Sequence, residues 1–93
     1  MTEQEFQNNI SGADTFHRFG GNPDVYYWEG YGRGLRRNYH AEEFGTLDDH
    51  LLWSSMATDS ENKQRRYRGI GYLVGLDGMG IHNAINHLNI IDG

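Results

Sequence analysis

Seven of the chain's eight basic residues fall in two short runs, Arg33, Arg36 and Arg37, then Lys63, Arg65, Arg66 and Arg68. Clustered guanidinium groups pair with phosphate oxygens, so such runs are the residue types that hold RNA or a nucleotide anion. The opposite charge is just as concentrated. Glu42, Glu43, Asp48, Asp49, Asp59 and Glu61 lie within residues 41–62, where no base occurs. A block of carboxylates can meet a basic surface where phosphate would otherwise sit. Both runs also have a plain use as exposed ion pairs with Glu42, Glu43, Asp59 and Glu61, each worth under ~1 kcal/mol.

Other chemistries lack their residues. The chain has no cysteine, so disulfides and thiolate metal sites are excluded. His17, His40, His50, His82 and His87 show no H-x-x-x-H spacing, and no metal is expected. No serine sits in a nucleophile elbow, and no carboxylate pair stands apart from ordinary surface acids. A chain of 93 residues has little room for a deep pocket. The expectation is a non-enzyme without cofactor.

The same length argues for one domain, residues 1–93. No apolar run approaches the roughly 20 residues that cross a bilayer, and no membrane partner is expected. The start, MTEQEFQNN, is too acidic and polar for a targeting peptide, so the expected location is cytoplasmic.

The elements that must position these residues read as helices. Thr2 with Glu5 forms a capping box for a short first helix, and Phe16–Gly21 reads as a loop or single turn. Asn22, Pro23 and Asp24 open a helix running to about Tyr39. Thr46 caps a third helix, with Asp48 and Asp49 in its first turn and Leu47, Leu51, Trp53 and Met56 as its apolar face. Thr58, Asp59 or Ser60 caps a fourth, from about Ser60 to Leu76, which Asp77–Gly80 stops. Ile81, Ala84, Ile85 and Leu88 give the last segment an amphipathic helical period. No segment alternates as a strand does.

Two of these helices carry one pattern. YYWEGYGRGL at 26–35 and YRGIGYLVGL at 67–76 share five of ten positions at an offset of 41. Each interior glycine costs a helix ~1 kcal/mol, so something must compensate. Gly30 and Gly34 share one face, as do Gly71 and Gly75. Such faces let two helix backbones approach closely, and the pattern predicts a glycine-mediated crossing. A phosphate-cradling loop fits less well. After Gly69 and Gly71 the next glycine is Gly75, not residue 74, and no strand precedes them. If the crossing is antiparallel, the two basic runs merge into one anion- or RNA-binding patch. If it is parallel, they separate.

Tyr26, Tyr27 and Trp28 are consecutive and span most of a helical turn, so they are not expected to face inward all together. Exposed aromatics often anchor protein interfaces. Tyr26, Tyr27 and Trp28 with Glu42, Glu43, Asp48 and Asp49 are therefore the expected partner-binding surface. So small a core also leaves apolar surface over, consistent with a homodimer.

The helix carrying Gly30, Tyr31, Gly34 and Leu35, followed by Arg66, Tyr67 and Gly71, resembles the ribosome modulation factor family over about half the chain. That resemblance implies a pair of aromatic-glycine helices and an RNA-binding regulator using the arginines. By type, a small, acidic, cysteine-free chain rich in aromatics resembles phage-encoded anti-CRISPR and other anti-defence inhibitors. That resemblance implies a protein that binds a host protein or protein–nucleic acid complex in the bacterial cytoplasm. The expected architecture is all-α, with four to five short helices. The leading expectation for function is a protein-binding inhibitor or adaptor; the alternative is an RNA- or nucleotide-binding regulator.

Overall fold

The computed structural model describes residues 1–93, apart from the side chain of Glu42. It holds five α-helices and no strand among the described residues: α1 (Glu3–Phe19), α2 (Asp24–His40), α3 (Leu47–Met56), α4 (Lys63–Leu76) and α5 (Ile81–Asp92), with a 3-10 turn at Ala41–Glu43. The fold is a small all-α bundle built on a crossing of α2 with α4.

The crossing is set by the four repeat glycines. A Cβ on Gly30 would fall inside 3.0 Å of the Arg68 carbonyl and Tyr72 nitrogen, and one on Gly34 inside 3.0 Å of the Tyr72 carbonyl and Leu76 nitrogen. Gly71 meets the Tyr27 carbonyl and Tyr31 nitrogen in the same way, and Gly75 meets the Tyr31 carbonyl and Leu35 nitrogen. These are backbone atoms and cannot rotate aside. Residue numbers rise together on both sides of the seam, so the helices run parallel. Adding 41 to each α2 number and subtracting 41 from each α4 number converts one set of contacts into the other, which gives the pair a local twofold relation.

Parallel neighbours need a return path, and α3 provides it. Met56 and Ala57, at its C-terminal end, sit over Gly69, while His50 near its start reaches Tyr72. α3 therefore runs antiparallel to α4. Thr46 caps it: the Asp49 N–H donates to Thr46 Oγ1 at 3.1 Å, and the Thr46 N–H donates back to Asp49 Oδ2 at 3.3 Å. The aspartate fills the role usually taken by Glu or Gln in a capping box.

α1 docks antiparallel on α2, with Phe6 stacked on Tyr39 at 4.3 Å and Phe16 on Trp28 at 4.8 Å. The expected loop at Phe16–Gly21 is corrected here. The helix continues to Phe19 because docking against α2 supports its last turns. The Thr2–Glu5 capping box forms as expected. At α4, the expected cap at Thr58, Asp59 or Ser60 is also corrected. Asn62 caps, accepting from the Arg65 N–H at 3.0 Å. Asp59 instead accepts from the Glu61 and Asn62 N–H groups, which commits its carboxylate to a turn before the helix begins.

α5 lies against α1, α2 and α4 and is held by tyrosine hydroxyls. Tyr27 donates to the Ala84 carbonyl at 2.7 Å, Tyr31 to the Met79 carbonyl at 2.6 Å, and Tyr67 to Asp92 Oδ1 at 2.6 Å. Its N-cap, Gly80, has no side chain to offer. Asn9 of α1 supplies the missing acceptor to the Ile81 N–H at 3.0 Å. The core joins Phe6, Ala13, Tyr27, Trp28, Tyr31, Leu35, Tyr67, Val74, Ala84 and Leu88.

Candidate functional site: the outer face of α3

α2 is buried on nearly every side, and this decides the fate of the expected surface. Tyr27 is 0% exposed and Trp28 is 4% exposed. The reading of Tyr27 and Trp28 as exposed partner-binding aromatics is therefore corrected. Consecutive aromatics can all turn inward when a helix has neighbours on several faces: α1 takes Trp28, α5 takes the Tyr27 hydroxyl, and α4 takes the glycines. Tyr26 is half-buried beneath the Arg68 guanidinium, 4.6 Å from its ring centre.

The two basic runs do not merge. In a parallel pair the α2 arginines sit toward one end and the α4 run toward the other. Their mean levels differ by about 11 residues, roughly 16 Å of helix rise, which exceeds the Debye length of about 8 Å at physiological salt. Every member is also engaged. Arg33 lies between the Trp53 and Phe44 rings, 4.7 and 5.5 Å from their centres, and 4.0 Å from Asp49. Arg36 meets Asp14, and Arg37 donates to the carbonyls of Phe44 and Gly45. Lys63 covers Tyr67, Arg65 pairs with Asp59, Arg66 donates to the Asp59 carbonyl, and Arg68 pairs with Glu29. The single anion patch that an antiparallel crossing would have made is absent.

What remains open is the outer face of α3. This helix has apolar residues around its whole circumference but packs mainly on α4. Met56 is buried beneath it, and Trp53, His50 and Asp49 face inward with partial exposure. Trp53 lies 6.1 Å from Tyr72 between ring centres, and His50 Nδ1 shares a 2.7 Å hydrogen bond with the Tyr72 hydroxyl. The leucines fall on the other side. Leu47 is 64% exposed, Leu51 55% and Leu52 49%. Leu47 and Leu51 were expected in the core face with Trp53 and Met56, and that too is corrected. These four residues are spaced by four, two and three, so they span more than half the circumference, and a helix packed mainly on one neighbour can cover only part of it.

The acids flank these leucines. Asp48 is exposed on the same outer side, and Glu43 is exposed just before the helix. Among the described residues neither makes an ion pair, nor does exposed Glu61 beyond the other end. Asp49 is different: it is occupied by the Thr46 cap and lies near Arg33. Glu42 lies outside the described side chains. The sequence does carry a signal for this face. Residues 47–56, LDDHLLWSSM, place leucines on one side of the helix and Trp53 and Met56 on the other, more than one packing surface can bury.

No other arrangement gathers chemistry. Among the described residues no group of three His, Asp or Glu side chains is placed to hold a metal ion, and no helix is long and apolar enough to cross a membrane. The larger cavities are shallow. One of about 340 Å³ lies between Arg37, Gly45, Thr46 and Leu47, one of about 330 Å³ between Glu5, Asn8 and Asn9 of α1 and the start of α5, and one of about 310 Å³ along α1 between Gln7, Ser11, Asp14 and Arg18. No family model, curated protein or solved structure matches this chain.

Proposed function

We propose that this chain is a non-enzymatic protein-binding inhibitor or adaptor, of the phage anti-defence kind, acting on a host complex that handles nucleic acid, and that it binds through the outer face of α3. The observation that supports this is the combined exposure of Leu47, Leu51 and Leu52 on one side of a short helix whose other side is anchored. Isolated surface leucines need no explanation, whereas three adjacent ones mark an interaction surface.

Magnitudes bear on what the partner must add. Covering three half-exposed leucines returns on the order of 3 kcal/mol. Association costs roughly 4–15 kcal/mol in lost freedom. The leucines alone therefore do not hold a partner, and further contacts around them must contribute. The unpaired carboxylates of Glu43 and Asp48 are the groups placed to do so, by complementing a basic surface that otherwise meets phosphate.

The test is a comparison of baits. Wild-type chain and Leu51→Asp are each immobilised and exposed to bacterial lysate. A stoichiometric protein retained by wild type and lost from the variant is the expected result. Equal retention by both, or no retained protein, overturns the assignment of this face.

A further inference from the structure

We infer that the occupant of the α3 face is an amphipathic helix whose apolar stripe is flanked by lysine or arginine. This rests on the protein-binding reading above and adds the chemistry of the partner. α3 presents Leu47 and Leu51 one turn apart, with Leu52 beside them, along a helix of ten residues. The leucines span about 8 Å of a helix about 15 Å long, enough for a second helix to cross them by ridges into grooves. No strand edge exists among the described residues, so an extended peptide finds no backbone ladder to join.

Charge selects among helices. Residues 41–62 contain no lysine or arginine. The nearest cations are already engaged: Arg33 is held between two rings, and Arg37, which borders a shallow cavity with Leu47, donates to two carbonyls. The exposed carboxylates of Glu43 and Asp48 are thus uncompensated. A second copy of this chain is disfavoured, because its own α3 face brings further acids and no lysine or arginine to meet Asp48 and Glu43. Nucleic acid and anionic lipid are disfavoured by the same sign. A basic amphipathic helix answers both the leucines and the acids.

The full chain is titrated into fluorescently labelled peptides of about 18 residues, five helical turns. One carries leucines at i, i+3, i+4 and i+7 flanked by lysines; the other has the same leucines flanked by glutamates. The lysine peptide should bind at least about tenfold more tightly, and its affinity should fall with salt. Leu51→Asp, confirmed folded by circular dichroism, should weaken binding about tenfold although it adds a negative charge. Asp48→Lys should narrow the preference. If Leu51→Asp leaves binding unchanged or tightens it, the attraction is charge alone and the inference fails. Equal binding of both peptides also overturns it. If neither peptide binds while lysate still yields a partner lost from Leu51→Asp, the partner's chemistry is wrong and the protein-binding reading stands. If the lysate yields nothing either, both fall. A concentration-dependent dimer in sedimentation, abolished by Leu51→Asp, assigns the face to a second copy and overturns the inference.

Discussion

Gly30 and Gly71 occupy equivalent places on the two sides of the α2–α4 seam, each facing the other helix's backbone where a Cβ has no room. The residues they face, Arg68 with Tyr72 and Tyr27 with Tyr31, are themselves 41 positions apart. The repeat in the sequence is therefore the record of a parallel, twofold-related helix contact.

Substituting alanine at Gly30, Gly34, Gly71 or Gly75 should force the helices apart, costing about 3 kcal/mol or more, a large share of a small domain's stability of roughly 5–15 kcal/mol. Gly32 lies on the same helix, but its Cβ would meet only the flexible end of Arg36, at 3.2 Å. Gly32→Ala should instead gain up to ~1 kcal/mol from helix propensity. Urea unfolding followed by circular dichroism separates the two outcomes. A well-folded Gly71→Ala would sink the account of the seam.

Arg33 ties α3 to α2 through the Trp53 and Phe44 rings. Arg33→Ala should cost about 1–2 kcal/mol and shift Trp53 emission to the red as α3 loosens. Arg33→Lys keeps the charge but loses the planar stack, so it should recover less than half of the effect. The readout is fluorescence in a Trp28→Phe background. An unshifted spectrum in Arg33→Ala would show that α3 docks without this contact.

Asp24 should make the chain less stable at neutral pH than near pH 4.5. Burial pushes its carboxyl up to about 6, the neighbouring Asp92 adds to the rise through a hydrogen bond and its charge, and Lys63 opposes it. The folded form therefore holds the proton more tightly than the unfolded chain, whose carboxyl titrates near ~3.9. Between about pH 4 and 6 stability falls as pH rises. Partial exposure limits the effect to on the order of 1 kcal/mol. Glu5 and Asp59 act the other way at lower pH: the Thr2 and the Asn62 and Glu61 hydrogen bonds hold their carboxyls below the usual range. Asp24→Asn should flatten the slope between pH 4.5 and 7 in urea titrations. An unchanged slope would show that another group carries it.

Separation of the basic runs predicts weak binding to short single-stranded RNA. Affinity should fall with salt by a slope worth fewer than about two phosphate contacts, against about four or more for a single merged patch. Fluorescence titration at two salt concentrations decides this, and a steep slope would mean that the runs converge on RNA after all.

The sequence alone determined that the chain is helical and that two helices meet at a glycine seam, though not where α1 ends or which residue caps α4. Thr2, Thr46 and Ile81–Leu88 act within a few residues of themselves, and a glycine at every fourth position says that a backbone must come close. Local chemistry is enough for such features. The direction of the α2–α4 contact was not legible, because glycine faces accept either direction and the choice belongs to the return path through α3. Direction in turn decided that the arginine runs separate. Nor could the sequence say which aromatics are hidden: Tyr27 and Trp28 are buried because α1, α4 and α5 close around α2, and that enclosure is long-range. The same enclosure leaves α3 outside the main core, so Leu47 and Leu51 face outward although their spacing suits a buried stripe. Periodicity shows which side chains share a face, and only the packing of distant helices shows whether anything covers it.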